Sequence, residues 1–105
     1  MDSNFKPLIH KDNVPEKSAF CGEIDGQAVA VCKVKDEYFA FENQCSHANA
    51  SFDGGRLKAY RISCPLHGAT FDVRSGEATS RPAKLPIKTY PLRVTEDGML
   101  EVAVD

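Results

Sequence analysis

Two short words constrain this chain more than anything else in it: Cys45-Ser46-His47 and Cys64-Pro65-Leu66-His67. Each sets a thiol beside an imidazole across one or two residues, and sixteen residues separate His47 from Cys64. For the four side chains to meet, the intervening chain must run out to a turn and come back, so that two loops adjoin at one end of the fold. Two thiolates and two neutral imidazoles suit either a zinc ion or an iron-sulfur cluster of mixed ligation. Cys45, His47, Cys64 and His67 are therefore the candidate metal and cofactor ligands, and in a reducing compartment such cysteines favour metal over a disulfide framework.

The surrounding pattern is that of short strands. Stretches 19–24 and 27–34 flank Asp25-Gly26, a two-residue hairpin signature because both residues accept positive φ. On the second arm Val29 and Val31 alternate with Ala28, Ala30 and Cys32, which predicts a strand with small residues on both faces. A turn is expected at Lys35-Asp36-Glu37, then a strand over 38–41 that leads to Cys45. Ser51 to Arg56 is a glycine turn, 60–63 a strand ending at Cys64, and 70–73 its return. Prolines mark 81–86 as a loop, and a closing hairpin is expected from 87–94 and 99–104 around Glu96-Asp97-Gly98. Phe5 to His10 is at best a short edge strand. No segment keeps a period of 3.6, so the expected fold is all-β, a sandwich or small barrel with the metal site in loops at one end.

A chain of 105 residues makes one domain, 1–105, with a cluster-binding part at about 43–84 set into a basal β-sandwich. The formal charge of −2, without a basic run or an aromatic-interleaved Lys/Arg patch, speaks against nucleic acid. The N-terminal residues lack the apolar stretch of a signal peptide, and no run is long enough to span a bilayer, so a cytoplasmic protein with no membrane partner is expected. His10, with no ligand neighbour, reads as a surface or loop histidine. Cys21 and Cys32 read as small core-filling hydrophobes rather than a disulfide. Asp53, Asp72 and Glu77 read as turn and surface groups rather than catalysts.

Cys-x-His, sixteen residues, Cys-x-x-His and the following Gly68-Ala69-Thr70-Phe71-Asp72 resemble the Rieske [2Fe-2S] signature. The whole chain from about Phe5 resembles the small Rieske-type ferredoxins of bacterial aromatic-ring dioxygenase systems. The resemblance implies one [2Fe-2S] cluster, with Cys45 and Cys64 on the iron that stays ferric and His47 and His67 on the iron that is reduced. Zinc modules more often pair two Cys and then two His, which leaves a zinc-stapled binding module as a rival from another class. Ala48 and Arg81 stand where many relatives carry Gly.

What is missing refines the expectation. Respiratory relatives carry an extra, bridged Cys in each word and a membrane anchor; here Ala50 and Leu66 occupy those positions. They also carry Ser and Tyr hydroxyls where Ala69 and Phe71 stand, donors whose loss leaves the reduced cluster less stabilised and its potential low. With three histidines, two of them spoken for, the chain has no set for the mononuclear iron of an oxygenase, and it has no dinucleotide fingerprint. The resemblance therefore implies a non-enzymatic, one-electron carrier between a flavin-containing NAD(P)H-dependent ferredoxin reductase and the Rieske centre of a terminal oxygenase. A Rieske subunit of another complex, of the nitrite reductase small-subunit type, is the alternative. A monomer is expected, docking transiently through an uncharged tip of Ala48, Asn49, Pro65, Leu66, Gly68, Pro82 and Ala83, with Arg81 and Lys84 nearby.

Overall fold

The computed structural model describes residues 5–44, 51–65, 68–80 and 85–104. Among them the chain forms three antiparallel sheets and a single 3₁₀ turn at Lys11–Asn13. The middle sheet holds β2 (Phe20–Ile24), β3 (Gln27–Val34), β4 (Glu37–Glu42) and β8 (Thr89–Tyr90) in that order. Against one face lies the sheet of β1 (Phe5–His10), β10 (Met99–Ala103) and β9 (Leu92–Val94), and against the other the sheet of β5 (Leu57–Lys58), β6 (Arg61–Ser63) and β7 (Thr70–Asp72). An all-β architecture is as expected.

β3 explains why the middle sheet can serve two cores. Val29, Ala30, Val31 and Cys32 are all fully buried. Val29 and Val31 face Leu100 and Val102 of β10, while the smaller Ala30 and Cys32 leave room on the opposite face for Phe41, Phe52 and Phe71. Burying each valine contributes about 1.5–3 kcal/mol. The β2–β3 hairpin turns where the sequence predicts, with Asp25 at φ 52° and Gly26 at φ 83° and Ile24 opposite Gln27. The next turn is tighter than expected: Lys35 (φ 49°) and Asp36 (φ 66°) form it alone, and Glu37, assigned to the turn from sequence, opens β4 opposite Val34.

The expected strand over 87–94 is two strands. Tyr90 pairs with Ala40 of the middle sheet, whereas Leu92 pairs with Val102 of the outer one. Pro91 lies between them, with no N–H to continue a ladder, and its carbonyl accepts from Ala103 N at 3.1 Å. The strand read over 60–63 begins one residue later, and β5 before it escapes notice because two residues show no period; Ala59 at φ 54° turns the chain between them. β1 is an edge strand, as expected, and it carries Pro7 and a bulge between Pro7 and Ile9.

His10 is only partly exposed and serves the fold. Its Nδ1 accepts from Asp12 N at 3.1 Å, so the proton sits on Nε2, which donates to Asp97 O at 2.8 Å and ties β1 to the β9–β10 turn. Cys21 and Cys32 are both free thiols. Burial pushes Cys32 up to about 12 from the ordinary 9.0. The folded chain thus holds this proton more tightly than the unfolded one. The resulting stability is complete below pH 9.0 and is lost as pH rises toward 12. The urea midpoint is expected to fall faster above pH 9.0 in the wild type than in Cys32→Ala, which titration of unfolding against pH measures.

Candidate metal centre

β6 delivers one candidate ligand directly. Ser63 is its last residue, paired with Thr70 of β7, and Cys64 follows. Cys64 N donates to Ala69 O at 2.7 Å and Gly68 N donates to Cys64 O at 2.8 Å, so the β6–β7 connection is closed tightly at its base. Gly68 at φ 74° takes the left-handed conformation this closure requires. Cys64 is a free thiol only 1% exposed. It belongs to the same buried cluster as Ala69, Phe52 and Phe71.

Beneath it three fully buried phenylalanines interlock edge to face. Phe52 meets Phe41 at 5.5 Å and 83°, and Phe71 at 5.6 Å and 88°. Phe41 comes from the middle sheet and Phe71 from the sheet that carries Cys64, so Phe52 bridges the two layers. At the sequence positions where a hydroxyl would have been informative, Ala69 and Phe71 are both 0% exposed and offer no donor.

The other loop is gathered by Asn43, which sequence reading passed over. Its Oδ1 accepts from Phe52 N at 2.7 Å and from Ser51 Oγ at 3.2 Å, and its own N donates to Ala28 O at 3.0 Å. Ser51 Oγ in turn accepts from Asp53 N at 3.0 Å. One side chain therefore clasps the two ends of the segment that contains Cys45 and His47. An Asn two places before a Cys is the only signal of this in the sequence. Cys21 borders the clasp: burial pushes its thiol up, hydrogen bonds with Ser51 and Asn43 draw it back, and the Asp53 carboxylate pushes it up again. It is half-buried, so core filling describes Cys32 better than Cys21. Asn43→Ala leaves the partly buried Phe52 N–H without its acceptor, and a loss of about 1–3 kcal/mol is expected in chemical denaturation.

Cys45, His47 and His67 lie outside the described residues, as do the tip positions Ala48, Asn49, Ala50, Leu66 and 81–84. Among the described residues no group of three or more His, Cys, Asp or Glu side chains is arranged to hold a metal. Cys64 itself fits a cluster ligand: a thiolate this deeply buried needs a cation beside it, and its shell is apolar. Asp53 and Glu77 are exposed, as expected. Asp72 is more engaged than a free surface group. Arg74 grips it through Nε at 3.0 Å and Nη2 at 2.8 Å, and the same guanidinium holds its carboxyl below the usual carboxylate range.

No helix among the described residues is long and apolar enough to cross a membrane. The ferredoxin component of the naphthalene 1,2-dioxygenase/salicylate 5-hydroxylase systems of Ralstonia sp. is 36% identical over 94 residues, 90% of this chain and 90% of that protein. The ferredoxin of carbazole 1,9a-dioxygenase from Nocardioides aromaticivorans IC177 superposes with a TM-score of 0.91 at 33% identity, covering 97% of this chain and 99% of that one. A chain of the complex of reduced oxygenase and oxidized ferredoxin in carbazole 1,9a-dioxygenase superposes at 0.86 with 28% identity, over 95% of this chain and 93% of that one. The model of the Rieske [2Fe-2S] domain matches residues 4–91. A buried free thiol at the mouth of a three-stranded sheet, on a chain matched over that span, makes this protein a member of the Rieske [2Fe-2S] family, with one Rieske-type cluster as its cofactor.

Proposed function

We propose that the chain is the electron carrier of an aromatic-ring dioxygenase system, accepting one electron at a time from a flavin-containing NAD(P)H-dependent ferredoxin reductase and delivering it to the Rieske centre of a terminal oxygenase. The observation that carries this is the likeness, over nine-tenths of both chains, to a dioxygenase ferredoxin component. It favours the carrier over a nitrite reductase subunit. Cys45, His47, Cys64 and His67 are the proposed ligands, in a cluster-binding part of about 43–84 within one domain. The cluster, when bound, supplies a reversible one-electron couple. The chain's own residues set how it works: Cys64 would hold one iron at a hydrogen-bonded strand end, the buried phenylalanine trio would exclude water beneath it, and Ala69 and Phe71 would withhold the hydroxyls that steady an added electron. These choices favour a low potential.

The proposed carrier is a cytoplasmic monomer that meets its partners transiently at the cluster end. A dithionite-reduced sample is expected to show a rhombic EPR signal of mixed His/Cys ligation, and catalytic NADH with a dioxygenase reductase is expected to bleach the oxidised protein. A colourless protein holding zinc, or a cluster that such a reductase leaves oxidised, would overturn the proposal.

A further inference from the structure

The outward face of the cluster-bearing sheet carries a groove of about 580 Å³ that the carrier role does not explain. While Leu57, Ile62 and Phe71 line up in register on the buried face, the opposite row places Lys58 beside Arg61 and Arg61 beside Asp72. Arg56 stands two positions before Lys58 on the same side, and Arg74 also lines the groove. Four cations and one carboxylate thus line the groove of a chain whose formal charge is −2. The carboxylate is already committed, since Asp72 is gripped by Arg74, whose guanidinium is also held 4.0 Å over the Tyr60 ring. Arg56, Lys58 and Arg61 are exposed.

Two features argue that this is more than a solvated face. Like charges directly opposite on neighbouring strands are destabilising, yet Lys58 and Arg61 sit so. Local costs of that kind are kept where function needs them. The spacing also suits an extended chain better than a single phosphate: neighbouring strands are about 4.8 Å apart, and alternate residues on one strand about 6.8 Å apart, the repeat of alternate carboxylates on an extended peptide.

Resting on the carrier role above, we infer that this groove docks an acidic segment of a partner protein. The segment would lie along β5 and β6, whose end bears Cys64, and so fix the partner's approach to the cluster end. Charge at this site orients and speeds encounter.

Hexaglutamate peptide is the probe, titrated into the holo protein by calorimetry at low salt, with amide shifts followed by NMR. Binding is expected with shifts confined to 56–63, 70–74 and the groove-lining Thr79, weakened at least ~tenfold on raising salt to ~0.2 M. Lys58→Glu with Arg61→Glu is expected to abolish it. The charge-matched control Lys11→Glu with Lys35→Glu is expected to keep it, and both variants to retain the wild-type visible spectrum. If the double reversal fails to fold, the salt titration and shift map on the wild type still decide. Shifts elsewhere, equal loss in the control, or inorganic pyrophosphate binding as tightly as the peptide would overturn the inference, the last by making this a small-anion site. So would salt-sensitive dimers in sedimentation, which would make a second copy the occupant. None of these outcomes bears on whether the cluster carries electrons, which the EPR and reduction experiment decides separately.

Discussion

Cys64→Ala is expected to yield a protein with almost no visible absorbance and with iron and acid-labile sulfide near zero. Cys64 is the one proposed ligand whose surroundings are described, and its position leaves little room for substitution. Cys64 is 1% exposed at a strand end fixed by hydrogen bonds on both sides, and among the described residues its neighbours are apolar, so none of them offers a replacement ligand. Loss of the metal also removes free energy that otherwise favours the folded state, so the thermal midpoint is expected to drop with cluster content. Cys21→Ala and Cys32→Ala serve as controls. Both are free thiols outside the two candidate words in sequence, and both variants are expected to assemble a full cluster. Iron and sulfide analysis of the three proteins checks this, and a full cluster in Cys64→Ala would remove Cys64 from the ligand set.

Phe52→Ala is expected to cost about 3–5 kcal/mol, a large share of the roughly 5–15 kcal/mol by which such domains are stable. The ring is fully buried and makes an edge-to-face contact with Phe41 of the middle sheet and another with Phe71 of the sheet that carries Cys64. Because the neighbouring rings are held by their own strands, the cavity cannot collapse without moving a sheet. Phe52→Leu keeps most of the volume and is expected to lose less than half as much, about 1–1.5 kcal/mol. Urea unfolding of the holo protein measures both. A Phe52→Ala cost below 1 kcal/mol would mean that the two layers are held by something other than this trio.

Where the governing chemistry was local, the sequence was sufficient. Asp25-Gly26 turns as its φ preferences require. Leu100, Val102 and Val104 alternate into the core because β10 has one face to bury. The two metal words, their separation and the Gly68-Ala69-Thr70-Phe71-Asp72 that follows carry the resemblance to the family, which the match over residues 4–91 bears out. What escaped was decided by partners distant in the chain. Alternation runs on through Pro91, yet the strands on either side pair with different sheets. The pair Leu57–Lys58 becomes a strand only because Arg61–Ser63 folds back beside it. Asn43 looks like any turn residue until Phe52 arrives beneath it. Arg56, Lys58 and Arg61 are scattered charges in the sequence, and cross-strand register alone makes them neighbours.

The bulge and proline in β1 bear on how the protein survives its own synthesis. β1 is made long before its ladder partner β10, with Phe5 opposite Ala103. Closing so long a loop is slow, and until β10 emerges β1 offers an open row of backbone donors and acceptors to any other nascent chain. Pro7 removes one donor from that row and the irregularity between Pro7 and Ile9 spoils its flatness, while Lys6 adds a charge. Features that read as blemishes in the finished sheet are the guard its first strand carries while it waits.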